Sequence, residues 1–368
     1  MNFKKEYNRL MKNKKNKVIQ SWIFVSVCFL VLIVGVTTYL SKDDVQKRSI
    51  TYTDIGFDTP IQFQATCSKK EFEEYSNIVK TVFQNENDIF DVFDPDSVLY
   101  QVNEQAYQHP VTIPSSLKDC IEVSQKAYAL SSQFDISQGA LLKDWHTIRD
   151  QQHPDLSIID NTTYPSGMEH IVLNDDQISF TDSISLDLGG IAKGYTAQIC
   201  KEKLNEAGLD NGFINAGGNV VLLGKKQDGS EWTIGIQSPD SQDSLVQFST
   251  LQPLAMVTSG DYQRYVEING QHYGHIIDPQ TKYPPNYMRS VTIIHEDSTW
   301  ADAMSTTLFC MPVEEGMQFC KDNHLQAVWV CDKDQKLNIK PLFTTDSYQI
   351  YATEEIKENL ELSQNFTN

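Results

Sequence analysis

Positive charge is scarce in this chain of 368 residues. Its 30 Lys and Arg residues stand against 49 Asp and Glu residues, which gives a formal net charge of −19. Residues 1–40 alone carry +6, so the remaining 328 residues carry −25. A nucleic-acid binder neutralises phosphates with clustered Lys and Arg. The acidic body of the chain is therefore a poor candidate for that class, and we expect no nucleic-acid partner.

Several familiar catalytic and binding motifs are also missing from the sequence. There is no HExxH zinc motif and no GxSxG nucleophile motif. Neither the GxxxxGK(S/T) loop nor the GxGxxG fingerprint of common nucleotide-binding proteins occurs. The seven cysteines include no CxxC pair, which argues against a zinc site and against a disulfide framework. We expect buried free thiols instead.

One long apolar run is present near the N-terminus. Residues 22–40 form a stretch of nineteen uncharged residues, about enough for a helix to cross a ~30 Å hydrocarbon layer. Lysines crowd its N-terminal side, so the positive-inside rule predicts a cytoplasmic segment over 1–21 and a transmembrane anchor over 22–40. A cleaved signal peptide and lipoprotein processing at Cys28 are the alternatives, but the run is long and no small-residue cleavage site follows it.

The body of the chain has the composition and pattern of a folded α+β protein. Hydrophobic residues make up 40% of the sequence and aromatic residues 10%, which argues against disorder. Its length exceeds the ~250–300 residues at which single cores stop growing, so we expect two lobes. Strands in meanders with helices in separate blocks predict α+β, with antiparallel or mixed sheets and packed helices. The predicted organisation is a polar tether over 41–53, a domain over 54–352 and a C-terminal tail over 353–368.

Hydrophobic periodicity predicts the main elements of this body. A capping-box pattern at Ser68–Glu71 starts a helix that reaches about residue 90. Further helices are predicted over 116–132, 191–207, 301–311 and 313–323. Short strands are predicted over 61–66, 171–173, 177–180, 183–186, 212–215, 220–223, 232–236, 246–251, 254–258, 290–295 and 325–330.

The segment Asp187–Gly194 combines a strand end, a glycine pair and a helix start. Glycines let a ligand approach the backbone, and a helix N-terminus presents free N–H groups to an anion. Lys193 would add a positive charge for a phosphate. Taken alone, a simple strand–helix turn with a solvated lysine explains the segment equally well.

Two further segments combine glycines with polar residues. Asn215–Asn219 places paired glycines between two strands, which suits close contact with a flat or phosphorylated ligand but suits a bulge as well. Thr258–Tyr262 and His272–Pro279 are predicted on the two arms of a hairpin that turns at Asn269-Gly270. Histidine, aspartate and tyrosine side chains would converge there, which favours a site over a single structural histidine.

Asp302 and Thr306 are four residues apart in a predicted helix, so their oxygens share one face. A carboxylate and a hydroxyl suit a hard cation such as Mg²⁺, which keeps several waters and takes phosphate oxygens from its ligand. The alternative is an ordinary helix start, with Asp302 stabilised by the N-terminal dipole.

Together and in this order, these segments resemble the FAD:protein FMN transferase (ApbE) family. The matching stretches are 187–195, 215–219, 258–262, 275–279 and 301–306, with weaker matches at 57–59, 93–97 and 134–140. Each motif is modest, but five in register over more than a hundred residues are a specific signal.

The resemblance implies an α+β fold with the active site between lobes, and it implies residue roles. It places a catalytic histidine at His275. It maps the metal ligands onto Asp302, Thr306 and the backbone carbonyl of Gly190. The flavin contacts map onto Phe57, Phe93, Phe134, Asp135, Asp187, Lys193 and Ile276. The chain departs from the family pattern at Phe93, where related sequences can carry a tyrosine, and at Ser137-Gln138, which replaces the more usual Thr-Val.

The reaction implied by the resemblance uses FAD and Mg²⁺. The pyrophosphate of FAD is split, FMN becomes attached to a Thr or Ser hydroxyl of an acceptor protein, and AMP leaves. We expect an exported acceptor with an Asp-x-x-Thr/Ser-Gly-Ala/Ser-Thr/Ser motif, because the anchor predicts a single-pass membrane protein with an extracytoplasmic catalytic domain. An Mg²⁺-dependent FAD pyrophosphatase and a flavin-binding protein without turnover are the alternatives.

Overall fold

The computed structural model describes residues 44–151 and 154–366, together with the isolated residues Phe3, Tyr7 and Met11. The predicted anchor over 22–40 lies outside the described residues. In the part of the chain that is described, no helix is long and apolar enough to cross a membrane. The chain divides into two compact units, Met1–Gln46 with Cys67–Glu71 and Lys47–Thr66 with Phe72–Asn368. The second unit contains every candidate site residue.

Helices and strands alternate in blocks, so the predicted α+β class is confirmed. The helices are α1 (Lys69–Phe90), α2 (Val98–Gln105), α3 (Ser115–Leu130), α4 (Gly139–Asp150), α5 (Ser157–Asn161), α6 (Ala192–Glu206), α7 (Ser298–Phe309) and α8 (Val313–Asn323). The strands are β1 (Gln46–Tyr52), β2 (Ile61–Cys67), β3 (Val111–Thr112), β4 (Ile171–Asn174), β5 (Gln177–Phe180), β6 (Phe213–Ala216), β7 (Asn219–Leu222), β8 (Trp232–Gln237), β9 (Ser244–Thr250), β10 (Ala255–Gly260), β11 (Tyr265–Ile268), β12 (Gln271–Gly274), β13 (Ser290–His295), β14 (Gln326–Asp332), β15 (Phe343–Thr344), β16 (Tyr348–Ala352) and β17 (Leu360–Leu362).

A nine-stranded sheet with the order β1-β2-β6-β7-β10-β13-β14-β16-β15 is the largest element of the described chain. Its pairings from β2 to β15 are antiparallel. A three-stranded sheet, β17-β9-β8, supplies the other side of a hydrophobic core. We call this core the apolar cluster, and its buried members include Ile236, Phe248, Met256, Val330 and Ile350.

Local hydrogen bonds explain where several elements begin. The predicted capping box is confirmed: Ser68 N–H donates to Glu71 Oε2 at 2.9 Å, and Glu71 N–H donates to Ser68 Oγ at 3.3 Å. The Asp297 carboxylate accepts the backbone N–H groups of Thr299 and Trp300 and so caps α7. Capping side chains satisfy N–H groups that have no partner within the helix, which fixes the first turn.

Three predicted segments differ from the structure. The predicted strand over 183–186 forms only an isolated bridge, because the Asn103 side chain takes both backbone groups of Leu186, at 2.7 and 2.9 Å. Within the predicted tether, β1 is an edge strand of the large sheet. Within the predicted tail, β17 pairs with β9 and buries Leu360 in the apolar cluster.

The hairpin β11–β12 is held against α4 by a second core. Leu141, Trp145 and Ile148 of α4 pack with Ile268 and Ile277, which lie at the turn of the hairpin and beyond its second arm. A two-stranded hairpin alone is marginal in water. Its packing against α4 therefore fixes the position of the residues that follow β12.

Candidate functional site

A cavity of about 280 Å³ is lined by all eleven residues to which the sequence analysis gave a catalytic, metal or flavin role, whereas Asp261, Tyr262, His272, Tyr273 and Asp278 of the predicted hairpin do not line it. The members predicted from the motifs and the resemblance are Phe57, Phe93, Phe134, Asp135, Asp187, Gly190, Lys193, His275, Ile276, Asp302 and Thr306. These residues come from six separate stretches of the sequence. The structure therefore places the predicted residues in one site, while their individual roles stay predictions.

Close contact between α6 and α7 builds one corner of the cavity. A Cβ at Gly194 would lie 2.3 Å from the Ser298 carbonyl oxygen and 2.5 Å from Asp302 Cβ, so only glycine allows this approach. The backbone N–H of Gly194 donates to Asp302 Oδ2 at 2.7 Å. Lys193 Nζ donates to the Gly189 carbonyl oxygen at 3.1 Å.

Three hard oxygen donors meet in this corner. Asp302 and Thr306 lie on the same face of α7, and Thr306 Oγ1 is 3.4 Å from the carbonyl oxygen of Gly190. The helix begins at Ser298, so Asp302 is in its second turn and not at its start. Burial raises the pKa of Asp302, while Lys193 and the Gly194 N–H oppose that shift.

The donor set fits Mg²⁺. Only one carboxylate is present, and the described residues contain no group of three or more His, Cys, Asp or Glu that could enclose a metal. A cation held by Asp302, Thr306 and the Gly190 carbonyl would complete its coordination with water and ligand oxygens, as Mg²⁺ does at phosphate sites.

His275 follows β12 directly and is partly buried. Burial is the main cause that lowers its pKa to about 3, and the positive charges of Lys193, Arg149 and Arg264 lower it further. The imidazole is therefore neutral near pH 7. Its buried Nδ1 has no hydrogen-bond partner among the described residues.

The hairpin before His275 is shorter than predicted. The predicted turn is confirmed, since Asn269 and Gly270 adopt φ angles of 54° and 78°, as a type I′ turn requires. Its arms are β11 and β12, which pair from Tyr265 with Gly274 to Ile268 with Gln271. Residues 258–260 belong instead to β10, where they line the cavity from the large sheet.

Phe57 and Asp58 have left-handed backbones at the cavity wall, with φ angles of 61° and 48°. Such a conformation is unfavourable for residues with a Cβ and persists only where neighbours hold it. Asn87 Oδ1 accepts the Phe57 N–H at 2.8 Å. Arg264 Nη2 donates to the carbonyl oxygens of both Phe57 and Asp58. The structure thus fixes this turn from two sides.

The structure shows what contacts Phe93 and Ser137-Gln138, the two departures from the family pattern. Asp135 Oδ1 accepts the N–H of Ser137 at 2.8 Å and its hydroxyl at 2.6 Å, and Asp135 Oδ2 accepts Gln138 Nε2 at 3.1 Å. Ser137 and Gln138 therefore orient the Asp135 carboxylate. The ring of Phe93 meets that of His146 edge-on at 4.8 Å between centroids.

The sequence analysis missed several polar residues of the cavity wall. His146 and Arg149 lie on α4, a helix that was not predicted, and share a face with Leu142. The spacing of residues 142, 146 and 149 is the signal that would have revealed them. Eight buried side-chain polar atoms lack a partner in the described chain. Four of these line the cavity: Gln133 Oε1, Arg149 Nη1, His275 Nδ1 and Asn219 Nδ2, whose amide still lies near enough to Asp302 to lower the pKa of that carboxyl.

Unpartnered buried polar atoms are rare in folded proteins and call for an explanation. In the cavity they sit beside an exposed opening and several charged groups. A polar ligand would satisfy them, so the arrangement is that of a binding site with a neutral imidazole and a corner of hard oxygen donors.

Comparison with known proteins gives a consistent family. The ApbE family model matches residues 57–329. An FAD:protein FMN transferase of Klebsiella pneumoniae is 31% identical over 323 residues, which covers 83% of this chain and 98% of that protein. One of Vibrio cholerae is 26% identical, covering 76% of this chain and 82% of its own length.

Solved structures are similar over most of the chain. The crystal structure of the ApbE protein from Thermotoga maritima superposes with a TM-score of 0.73 at 25% identity, covering 85% of this chain and 99% of that one. The flavin transferase ApbE from Vibrio cholerae gives a TM-score of 0.72 at 23% identity, with 86% and 99% covered, and supports the fold.

Proposed function

The chain belongs to the ApbE family and is a transferase, and from that premise we propose that it moves FMN from FAD to a Thr or Ser hydroxyl of an acceptor flavoprotein. The observation that carries the proposal is the cavity itself. The neutral imidazole of His275 lines the same cavity as Lys193, Arg149 and Arg264 and as Asp302, Thr306 and Gly190, which supports the proposal.

We propose that His275 accepts the proton of the attacking hydroxyl. The hydroxyl oxygen forms a bond to the phosphorus of the FMN half, the bond between that phosphorus and the bridging oxygen breaks, and AMP leaves with that oxygen. A positioned base contributes about 10²–10⁴-fold to such a step. His275 is unprotonated near pH 7 and can therefore accept a proton.

Substrate binding would make this base stronger. Lys193, Arg149 and Arg264 all lower the pKa of His275 in the free protein. An opposite charge brought close to cations cancels part of their field. The diphosphate dianion would therefore raise the pKa of the imidazole from about 3 at the moment when the base is needed.

Asp302, Thr306 and the Gly190 carbonyl would hold Mg²⁺. When bound, the ion neutralises charge on the diphosphate oxygens. The chain's own contribution is the rigid placement of these donors, because the Gly194 N–H fixes Asp302 Oδ2.

We propose that the protein acts outside the cytoplasmic membrane, anchored by residues 22–40. The nineteen uncharged residues and the basic segment before them support this location. The acceptor would then also be exported and would carry the motif Asp-x-x-Thr/Ser-Gly-Ala/Ser-Thr/Ser.

Intact-mass analysis of candidate exported acceptors tests the function. The full-length protein with FAD and Mg²⁺ should add one FMN moiety to the acceptor, and chelation of Mg²⁺ should stop the reaction. Asp302→Asn keeps the size of the side chain but removes the charge, and should slow transfer by about 10²-fold or more. The exposed Glu296→Gln is the control for charge removal near α7 and should leave the rate unchanged.

The outcomes separate the alternatives. Release of free FMN and AMP without a mass gain on any acceptor would favour a pyrophosphatase. Intact FAD after long incubation with Mg²⁺ would favour a binding protein. Full activity of Asp302→Asn would contradict the assigned metal site.

A further inference from the structure

Arg149 is the least satisfied cation of the cavity. Its Nη1 atom is buried and has no hydrogen-bond partner among the described residues. No ion pair holds its side chain within the same part of the chain. The Arg149 side chain is partly buried, and a partly desolvated guanidinium without an anion is unfavourable, because the lost hydration is not compensated.

A second guanidinium, that of Arg264, makes this arrangement more costly. Arg264 lines the same cavity and is held in place by the carbonyl oxygens of Phe57 and Asp58. Burial lowers the pKa of Arg149, and the positive charge of Arg264 lowers it further. Two like charges thus line the same cavity, near enough for one to act on the other.

Three carboxylates of the cavity accept hydrogen bonds from the chain itself. Asp135 binds Ser137 and Gln138, Asp187 Oδ1 accepts the Gly189 N–H at 2.7 Å, and Asp302 accepts the Gly194 N–H. Asp150 and Asp187 offset part of the charge of Arg149, but no described carboxylate forms an ion pair with Arg149 or Arg264. A bound anion would supply the direct partner that the two guanidinium groups lack.

We propose that Arg149 and Arg264 form a phosphoryl-binding subsite, separate from the oxygen donors of Asp302, Thr306 and Gly190. The subsite takes a phosphoryl group of the dinucleotide, and in this respect it rests on the proposed function. A guanidinium matches two phosphate oxygens at once with parallel N–H donors. The group belongs either to the FMN half or to the AMP half of the substrate.

Binding titrations of the full-length protein test the subsite without turnover. The ligands are FAD, FMN, riboflavin, AMP and adenosine, measured in the presence of a chelator and without acceptor. Arg149→Gln should weaken FAD binding by about 10- to 100-fold, the usual range for a charge-assisted hydrogen bond. It should also weaken FMN, AMP or both, and leave riboflavin and adenosine within twofold of the unchanged protein.

Two other variants complete the design. Lys143→Gln removes a positive charge from the exposed face of the same helix and should leave every affinity unchanged. Arg149→Lys keeps the charge but lacks the parallel N–H donors of a guanidinium, and should give an intermediate loss of FAD affinity. Thermal unfolding of each variant checks that it is folded.

The result also shows which half of the substrate is bound. A loss for FMN alone assigns the subsite to the flavin phosphate, and a loss for AMP alone assigns it to the adenylate. Equal losses for riboflavin and adenosine, or no loss for any phosphorylated ligand, would overturn the proposal. Because no transfer step is involved, a protein that binds as expected but fails to modify acceptors would overturn only the proposed function.

Discussion

The cavity and the apolar cluster share strand β10 but differ in how their buried groups are satisfied. In β10, Met256 packs into the apolar cluster, while residues 258–260 line the cavity. The apolar cluster consists of buried hydrophobic side chains, most of them on antiparallel strands. The cavity contains unpartnered polar atoms and two non-glycine residues in left-handed conformation. The difference teaches that the apolar cluster is satisfied by its own side chains, whereas four of the eight unpartnered buried polar atoms of the described chain line the cavity, where a ligand can satisfy them.

Removal of the His275 imidazole should have the largest effect on the transfer rate, with little effect on the stability of the fold. His275→Ala is expected to lower the transfer rate by about 10²–10⁴-fold, because the general base is lost. The midpoint of thermal unfolding should fall little, since His275 Nδ1 has no partner in the described chain and the ring hydrogen-bonds only with the backbone of Arg264. The exposed His109→Ala serves as control. A large drop in the unfolding temperature of His275→Ala would mean that the residue is structural.

A substitution in the apolar cluster should have the converse effect: it should lower stability and leave the transfer rate unchanged. Ile350 is fully buried on β16, and Ile350→Ala should lower the free energy of unfolding by about 2–5 kcal/mol through the lost contacts and the cavity left behind. The transfer rate per folded molecule should stay the same. Leu251→Ala, at a side chain that is 48% exposed, should cost little, and chemical denaturation measures both. A selective loss of rate in Ile350→Ala would show that the two regions are coupled.

The smallest effect concerns pH. The pKa of His275 is about 3 in the folded protein, against about 6.5 for an ordinary histidine. Between these values the unfolded chain binds more protons, so the free energy of unfolding falls as the pH drops through this window. His275→Gln should abolish this contribution, and its unfolding midpoint should decline less between pH 7 and pH 4.5 than that of the unchanged protein. Parallel curves for the two proteins would contradict a depressed pKa.

Features that depend on neighbours in sequence were predictable. The spacing of Asp302 and Thr306 predicted their shared helical face, and the Asn269-Gly270 pair predicted the hairpin turn. The capping pattern at Ser68–Glu71 gave the start of α1. In each case the decisive interaction spans four residues or fewer, so the local pattern contains the necessary information.

Features that depend on distant partners were not predictable. Residues 183–186 alternate like a strand, but Asn103, 83 positions away, takes the backbone of Leu186. Helix α4 has its buried side fixed by Ile268 and Ile277, far along the chain. Arg149 therefore escaped notice, because its place in the cavity depends on a helix whose partners lie in another part of the sequence.

The six cysteines of the described chain, Cys67, Cys120, Cys200, Cys310, Cys320 and Cys331, are all buried and free, as expected. No covalent cross-link joins these parts of the chain, so refolding needs neither an oxidant nor an isomerase acting on sulfur. The thiols are also shielded from thiol reagents while the protein is folded. The described part of the chain can therefore keep its structure under reducing and oxidising conditions alike.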